Sequence, residues 1–333
     1  LKEARIRPSD FTVDTLLLAA RQALVEAALL TPGVAPEPRP IAAIVGTGAG
    51  PVESTEAAFL TYAEKGPRGV RPTTVPRCMA NAVSSQISIR FKLAGPNYSV
   101  ASACTSSTTA LGIAFRMVRD GYAGQALCVG ADTVFLQGTF TSWNNLGVMS
   151  RNPDPETACR PFDRDRDGCV LGEGAGAVVI ESADSAAARG ATPVAELCGY
   201  GESSDCTHIT APNPEGQAAA MAQALADAAV APADIGYISA HGTATRANDA
   251  AEADSIRRAF GAAADTVPVG ALKSYFGHLL GASGILETIA LVQVLRDGMA
   301  PPNRNLASPD PACALDLVGS TPKAIDKPYG MKN

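Results

Sequence analysis

Apolar residues follow two patterns along the chain. Short, nearly continuous apolar runs, typical of buried strands, lie at residues 41–46, 98–101, 126–129, 175–180, 195–199, 235–239 and 267–271. Longer stretches in which apolar residues recur every three or four positions lie at residues 15–30, 105–119, 216–229, 250–260 and 284–296. Because strands that alternate with helices build sheets covered by helices, the pattern predicts an α/β fold.

Several of the predicted helices are rich in Ala, Ser and Gly and are apolar around most of their circumference. Helices of that kind are usually buried between layers. The sequence has no repeat of fixed period and no long linker. A soft division falls near residues 182–191, where an Ala/Ser/Arg helix is predicted to follow a strand.

Composition narrows the class of protein. The 333 residues are 46% hydrophobic and 18% charged, which suits one large globular domain or two ordinary ones. The net charge is −6 and no run of Lys and Arg occurs, which argues against nucleic-acid binding. The apolar stretch at 15–30 is interrupted by Arg21, Gln22 and Glu26, so it predicts an amphipathic helix and not a membrane span.

The ends of the sequence and its cysteines bear on location. The first residue is Leu and no charged-then-apolar leader is present, so we expect the sequence to be part of a longer natural chain. The eight cysteines form no CxxC pair, which predicts free thiols in a reducing cytosol and a cytoplasmic location. No metal site is expected, because none of the three histidines lies within a helical turn of another.

Two segments imitate ligand-binding motifs. Residues 46–51 (GTGAGP) follow a predicted strand, but Pro51 replaces the third glycine of a dinucleotide-binding turn, so a plain glycine-rich turn is the better interpretation. Residues 163–168 (DRDRDG) resemble the start of a calcium loop. However, its twelfth position holds Gly174, and Glu173 comes one place early. Neither a dinucleotide nor a calcium ion is expected.

Cys104 carries the sharpest chemical signal. A predicted strand leads into it, and a predicted helix follows it. A thiol at a helix N-terminus has its pKa lowered by the helix dipole and becomes a nucleophile. The alternative is a small cysteine buried in the core.

Two of the three histidines favour the nucleophile. His241 follows the predicted strand at 235–239, and His278 comes soon after the predicted strand at 267–271. Active sites of α/β proteins lie at the carboxyl ends of strands, so these histidines and Cys104 form a plausible catalytic set. His208 lies in a polar loop and is not expected to take part.

Lys273 and Glu287 stand on either side of His278 along the chain, fourteen residues apart. Their spacing allows an ion pair near that histidine. Two unrelated surface charges would give the same spacing.

Four segments together resemble the β-ketoacyl synthases, the condensing enzymes of fatty-acid and polyketide assembly. They are residues 95–106, 161–176, 241–245 (HGTAT) and 273–284. Their order and separations match the family across essentially the whole chain. The resemblance implies an α/β thiolase-like fold with two pseudo-equivalent halves, residues 1–185 and 186–333, in a layered α-β-α-β-α arrangement.

The resemblance also implies roles for the catalytic residues. Cys104 would be the acylated nucleophile, and His241 and His278 would serve decarboxylation. Lys273 and Glu287 match the charged pair that supports the second histidine. The implied reaction is a decarboxylative Claisen condensation of the acyl group with malonyl on an acyl carrier protein, which makes the chain an acyltransferase.

Further residues match positions that hold substrate. Thr243 and Thr245 match the threonines that bind the pantetheine arm of the carrier protein. Met79 lies in the segment that closes the acyl pocket, although a core position would also suit it. Phe276 stands where relatives carry a small polar residue. Substrates travel on the phosphopantetheine of the carrier, and no cofactor bound by the protein is expected.

An acidic carrier protein is expected to bind at a positively charged surface. Lys65, Arg68 and Arg71, with Arg77 shortly after, form the concentrated positive stretch of the sequence. A solvated loop would look the same. The implied assembly is a dimer, either of like subunits or with a second ketosynthase-like subunit.

Two other functions remain open at this point. A non-catalytic partner subunit, which sets chain length in such a heterodimer, usually lacks the nucleophile. A thiolase uses a second cysteine as a base, and the late cysteine here, Cys313, lies in a Pro/Ala loop. The family's first strand would precede Leu1, and its closing Gly/Phe motif would follow Asn333.

Overall fold

The computed structural model describes residues 10–333, so residues 1–9 of the predicted first half lie outside the described part. The helices are α1 (Phe11–Glu26), α2 (Val52–Lys65), α3 (Thr74–Cys78), α4 (Ala82–Phe91), α5 (Ser106–Arg119), α6 (Gln137–Asn145), α7 (Pro155–Ala158), α8 (Ala183–Ala188), α9 (Pro214–Ala228), α10 (Arg246–Phe260), α11 (Lys273–Phe276) and α12 (Ser283–Asp297). The strands are β1 (Ala42–Gly46), β2 (Asn97–Val100), β3 (Gln125–Asp132), β4 (Gly174–Glu181), β5 (Ile235–Ser239), β6 (Val269–Gly270), β7 (Met299–Ala300), β8 (Lys323–Ala324) and β9 (Tyr329–Lys332). The α/β class expected from the sequence is confirmed.

The chain forms two compact units. Within the described residues, unit 1 comprises residues 10–141, Gly172–Val194 and Leu279–Leu286, and unit 2 comprises Ser142–Leu171, Ala195–His278 and Glu287–Asn333. No helix within residues 10–333 is long and apolar enough to cross a membrane.

Unit 1 is built on a four-stranded sheet in the order β2–β1–β3–β4. Strand β1 runs parallel to β2 and β3, and β4 runs antiparallel to β3. Ala43 and Val45 of β1 pack into an apolar cluster with α1 and α4, whereas Gly46 approaches α5 so closely that a Cβ would collide with the Ser106 carbonyl. Both faces of the sheet are therefore covered, as continuous apolar strands require.

Helix α1 begins where Asp10 caps it, because Asp10 Oδ1 accepts a hydrogen bond from the Thr12 amide at 3.1 Å. The other oxygen of Asp10 accepts from the Ser54 amide at 2.8 Å, which joins the start of α1 to α2. Leu16 and Leu24 of α1 are buried against the sheet. The amphipathic helix expected at 15–30 is thus present, but it begins and ends four residues earlier.

Unit 2 contains a three-stranded parallel sheet in the order β6–β5–β9. The side chains of β5 alternate between two apolar clusters. Ile238 packs with Ile256 of α10, and Tyr237 packs with Leu291 of α12. Antiparallel strands β7 and β8 form a small separate ribbon.

One predicted strand is wrong, and three observed strands, β7, β8 and β9, are missing from the sequence-based expectations. Residues 195–199 belong to no strand of the described chain. Gly199 and Gly201 bring this segment into such close contact with α9 that a Cβ at either position would collide with backbone atoms of that helix. Strand β9 was not expected, because its four residues contain a glycine and little apolar character.

Candidate active site

Cys104 lies in the turn between β2 and α5, immediately before Thr105, the N-cap residue of the helix. The thiol is partly buried. Ala103 before it has φ 53°, a left-handed conformation that residues with a Cβ rarely adopt. Ser106 holds this turn, because its hydroxyl donates to the Ala103 carbonyl at 2.6 Å and accepts from the Ser102 amide at 2.9 Å.

The buried carboxylate of Asp132 holds the loop that follows β1, which packs against the turn at Ala103. Asp132 ends β3 and is fully buried. Its oxygens accept hydrogen bonds from the Thr47 hydroxyl at 2.7 Å and from the amides of Gly48, Ala49 and Gly281 at 2.8, 2.9 and 2.6 Å. Burial raises the pKa of Asp132, and these hydrogen bonds oppose that shift. No sequence motif singled out Asp132.

The two candidate histidines lie close together in unit 2. The ring centroids of His241 and His278 are 5.3 Å apart, and the rings are nearly perpendicular at 88°. His241 follows β5, and its amide donates to Glu252 of α10 at 2.6 Å. His278 follows Gly277, whose φ of 75° turns the chain so that the His278 amide donates to the Val170 carbonyl at 2.7 Å.

Lys273 stands directly against the first histidine. Its buried ammonium lies 2.5 Å from Glu287 Oε1, 2.6 Å from the His241 carbonyl oxygen and 3.2 Å from His241 Nδ1. An ammonium only donates hydrogen bonds, so Nδ1 accepts and the proton of the neutral ring is assigned to Nε2. The sequence allowed an ion pair between Lys273 and Glu287 near His278, and that ion pair exists. The histidine that its ammonium contacts is His241.

The surroundings keep both imidazoles neutral. Burial lowers the pKa of His241 well below its ordinary value, and the charges of Lys273 and Lys332 and the neighbouring His278 add to this. Burial also lowers the pKa of His278, followed by the effects of Lys273 and Lys332. Two neutral rings are hydrogen-bond donors toward an anion but poor proton acceptors.

Two charged residues of this region were missed by sequence reasoning. Glu252 is fully buried and accepts from the amides of His241 and Gly242 and from the Asn333 side chain. Lys332 of β9 lies with its Nζ 3.5 Å from Glu287 Oε2. Neither residue lies in a recognisable motif. Helix α10 and strand β9 bring them into this region from parts of the chain that are distant in sequence, so local pattern could not have found them.

The candidate pantetheine-binding threonines are neighbours in unit 2. The hydroxyls of Thr243 and Thr245 are 2.9 Å apart. Thr245 also caps α10, since its hydroxyl accepts from the Asn248 amide at 3.3 Å. Phe276, at the end of α11, is half-buried.

The remaining candidate residues lie on the surface of unit 1. Met79 follows α3 and is 51% exposed, so in this structure it is not a core residue. Lys65, Arg68 and Arg71 are all exposed, at the end of α2 and in the turn after it. The structure thus brings the three cations to one surface segment.

The residues available to a metal ion argue against one in unit 2. The Lys273 ammonium beside His241 would repel a cation. In the segment that imitates a calcium loop, Asp163 accepts from the amides of Asp165, Ala307 and Ser308. Its oxygens are therefore used in holding the chain.

Family models match most of the chain. The model described as the N-terminal domain of beta-ketoacyl synthase matches residues 4–186, and the model for the C-terminal domain matches residues 194–307. The chain belongs to the β-ketoacyl synthase family. The recognition made from four sequence segments is therefore confirmed.

Individual relatives agree with this membership. A 3-oxoacyl-[acyl-carrier-protein] synthase 2 from Staphylococcus aureus (strain COL) is 40% identical over 335 residues, covering 100% of this chain and 80% of the relative. A type II polyketide ketosynthase, solved in complex with its acyl carrier protein and bound to a hexaketide, superposes with a TM-score of 0.90 at 27% identity. The match covers 98% of this chain and 82% of that one.

A second solved structure, the ishigamide ketosynthase/chain length factor, has a TM-score of 0.87 at 33% identity over 97% of this chain and 79% of that one. These β-ketoacyl synthase relatives confirm the expected thiolase-like fold and the acyltransferase class of the enzyme.

Proposed function

We propose that this β-ketoacyl synthase carries an acyl group on Cys104 and condenses it with malonyl-[acyl carrier protein]. The product is a 3-oxoacyl-[acyl carrier protein], in fatty-acid or type II polyketide synthesis. The main support for this proposal is the geometry around His241. The Lys273 ammonium lies against His241 Nδ1, so the proton of the ring is on Nε2, where it can be donated. The ring is neutral, and it lies beside a second neutral imidazole, that of His278.

In the first stage, the Cys104 thiolate attacks the carbonyl carbon of an acyl thioester. A carbon–sulfur bond forms to Cys104, and the bond to the carrier's phosphopantetheine sulfur breaks, so the carrier leaves as a thiolate that then takes up a proton from solvent. The amide of Cys104 would donate to the oxyanion that forms in between. The place of the thiol before α5 favours its ionised form.

In the second stage, malonyl on a carrier protein loses carbon dioxide. The electron pair of the broken carbon–carbon bond moves into the thioester and forms an enolate. Nε2–H donors of His241 and His278 would stabilise the enolate oxygen. The enolate carbon then attacks the acyl-Cys104 carbonyl, and the Cys104 thiolate leaves. Neither stage consumes a cofactor.

The other assignments belong to the same proposal. Thr243 and Thr245 would hold the pantetheine arm, and Met79 and Phe276 would shape the acyl site. Lys65, Arg68 and Arg71 would receive the acyl carrier protein. The similar structures, a carrier-protein complex and a ketosynthase/chain length factor, support a carrier partner and a dimer of like or unlike subunits. The division at residues 185/186 and a cytoplasmic location remain predictions.

Two competing functions receive less support. A non-catalytic partner subunit has no use for a cysteine in the turn before α5 or for the ammonium on His241. A thiolase needs a second cysteine as base. Cys313 is buried, and burial raises its thiol pKa to about 12, so it stays protonated at neutral pH.

The test separates the two stages. Cys104→Ala should abolish acyl loading and leave slow decarboxylation of malonyl carrier protein. His241→Ala and His278→Ala should each slow decarboxylation on the order of 10²–10³-fold, by analogy with the removal of one oxyanion donor. Acyl loading should survive in at least one of the histidine variants.

Acyl-enzyme mass and release of labelled carbon dioxide measure the two stages. Cys198→Ala is the matched control for the thiol, since Cys198 is also partly buried, and His208→Ala is the control for the imidazoles. Loss of decarboxylation in folded Cys104→Ala as complete as in the histidine variants would refute this division of roles.

A further inference from the structure

Lys332 of strand β9 lies near enough to His241 and His278 for its charge to lower their pKa values. The strand pairs with β5, with Lys332 opposite Ser239, two residues before His241. Gly330 and Lys332 lie on the same side of β9, and Gly330 packs against Leu291 of α12. Lys332 therefore points toward α12, where its Nζ lies 3.5 Å from Glu287 Oε2, and its side chain is only 10% exposed.

Glu287 is shared by two ammonium groups. Lys273 takes Oε1 at 2.5 Å, and Lys332 faces Oε2. Within residues 10–333, Oε2 of this fully buried carboxylate has no hydrogen bond. A buried carboxylate oxygen without a nearby cation is costly, so Lys332 supplies the charge that this side of Glu287 needs.

Lys332 balances the second of two buried carboxylates beside the imidazole pair, while the nearby Asp249 is paired with Arg166. Buried carboxylates come from Glu252 of α10 and Glu287 of α12. Cations come from Lys273 of α11 and Lys332 of β9. Without Lys332, two carboxylates would face one ammonium. The region would then oppose the negative charge that develops on an enolate.

We propose that Lys332 is a positioning residue for the decarboxylation stage. Its ammonium neutralises the second oxygen of Glu287. Lys273 then stays on His241 Nδ1, and the enolate forms without a surplus of negative charge. This inference rests on the proposed function, because decarboxylation is the stage that it concerns. Acyl transfer to Cys104 does not use the imidazole pair in this scheme.

The test compares Lys332→Met with Lys332→Arg in the full chain. Lys332→Met should lower kcat for malonyl carrier protein decarboxylation by about tenfold to a hundredfold and change KM by less than about threefold. Lys332→Arg keeps the charge and should recover most of the rate. Acyl loading of Cys104, measured by mass, should stay at the parent rate in both variants.

A pH profile separates an electrostatic role from a purely structural one. Loss of the Lys332 charge removes one of the two ammonium groups that lower the pKa of both histidines, which favours protonated imidazoles. The pKa of each histidine should therefore rise, and the acid limb of the decarboxylation profile should move to higher pH in Lys332→Met but not in Lys332→Arg.

Lys323→Met is the matched control, because Lys323 is an exposed lysine of the same unit, paired with Asp316. It should change neither stage. If Lys332→Met is unfolded by circular dichroism, Lys332→Gln takes its place with the same expected loss and shift. A folded neutral variant with the parent rate and an unshifted acid limb overturns the proposal. A parent protein that neither loads acyl groups nor releases carbon dioxide would instead overturn the proposed function.

Discussion

At the scale of single residues, the proposed chemistry depends on keeping His241 and His278 uncharged. His278 is almost completely buried, and the ammonium of Lys273 stands 3.2 Å from His241 Nδ1. Both effects oppose a proton on the imidazoles. The same features that make them good donors therefore impose a cost on the folded protein at acid pH.

Stability should consequently depend on pH. In the unfolded chain both histidines titrate near their ordinary pKa of about 6.5, whereas in the folded protein their pKa values are well below it. Below about pH 6.5 the unfolded chain binds protons that the folded protein does not, so the free energy of unfolding falls. The expected loss is about 1.4 kcal/mol per pH unit for each histidine, until the pH reaches the folded pKa values.

Urea unfolding at about pH 7, 6 and 5 measures this slope. His278→Gln removes one of the two groups and should reduce the slope by about 1.4 kcal/mol per pH unit. His208→Gln is the control, because His208 lies in an exposed loop. Equal slopes for His278→Gln and the parent would show that His278 is not held neutral.

At the scale of elements, one carboxylate joins three pieces of unit 1. Asp132 at the end of β3 binds the loop after β1 through Thr47, Gly48 and Ala49, and it binds the segment before α12 through Gly281. Three of these donors are backbone amides, of which that of Gly281 is buried and those of Gly48 and Ala49 are partly buried, and all three would lose their acceptor if the carboxylate were removed.

Asp132→Ala should therefore be strongly destabilising. We expect a loss of about 3–5 kcal/mol in the free energy of unfolding, because a buried amide, a buried hydroxyl and two partly buried amides lose a charged acceptor. In urea the transition midpoint should fall while the slope m stays unchanged. Asp120→Asn, an exposed carboxylate beside Arg119, should cost less than about 0.5 kcal/mol. A similar small loss for Asp132→Ala would show that these hydrogen bonds contribute little.

At the scale of the whole molecule, charge is unevenly placed. The chain carries a net charge of −6, yet Lys65, Arg68 and Arg71 form an exposed positive segment on unit 1. The net negative charge of the chain would repel an acidic carrier protein, whereas this positive segment would attract it. Recognition through it should affect docking and not the chemical steps.

Arg68→Glu combined with Arg71→Glu should raise KM for carrier-bound substrate about tenfold or more at low salt, and less at high salt because of screening. Small thioester analogues that lack the carrier should react as with the parent. Arg151→Glu combined with Arg164→Glu makes the same change in charge at exposed positions of unit 2 and should leave KM unchanged. Equal KM values for the docking variant and the parent would place docking elsewhere.

The pattern of apolar residues along the sequence was sufficient to predict several helices and strands. The run at 235–239 predicts the bounds of β5 correctly, and the helical period at 105–119 predicts α5 to within one residue. The same reasoning placed Cys104 before a helix and both histidines after strands, and the four motif segments identified the family. Continuous apolar runs and helix periodicity reflect burial that each element needs regardless of its partners.

Only the tertiary structure decided which distant residues meet. Residues 195–199 look like a strand, but they pack on α9, whereas the weak pattern at 329–332 becomes β9 because β5 offers it a partner. The pairing of β9 with β5 places Lys332 beside Glu287. Lys273 contacts His241 Nδ1. Strand pairing and ion pairing depend on groups far apart in the chain. The charge balance at the imidazoles is therefore a property of the fold and is not written in any single motif.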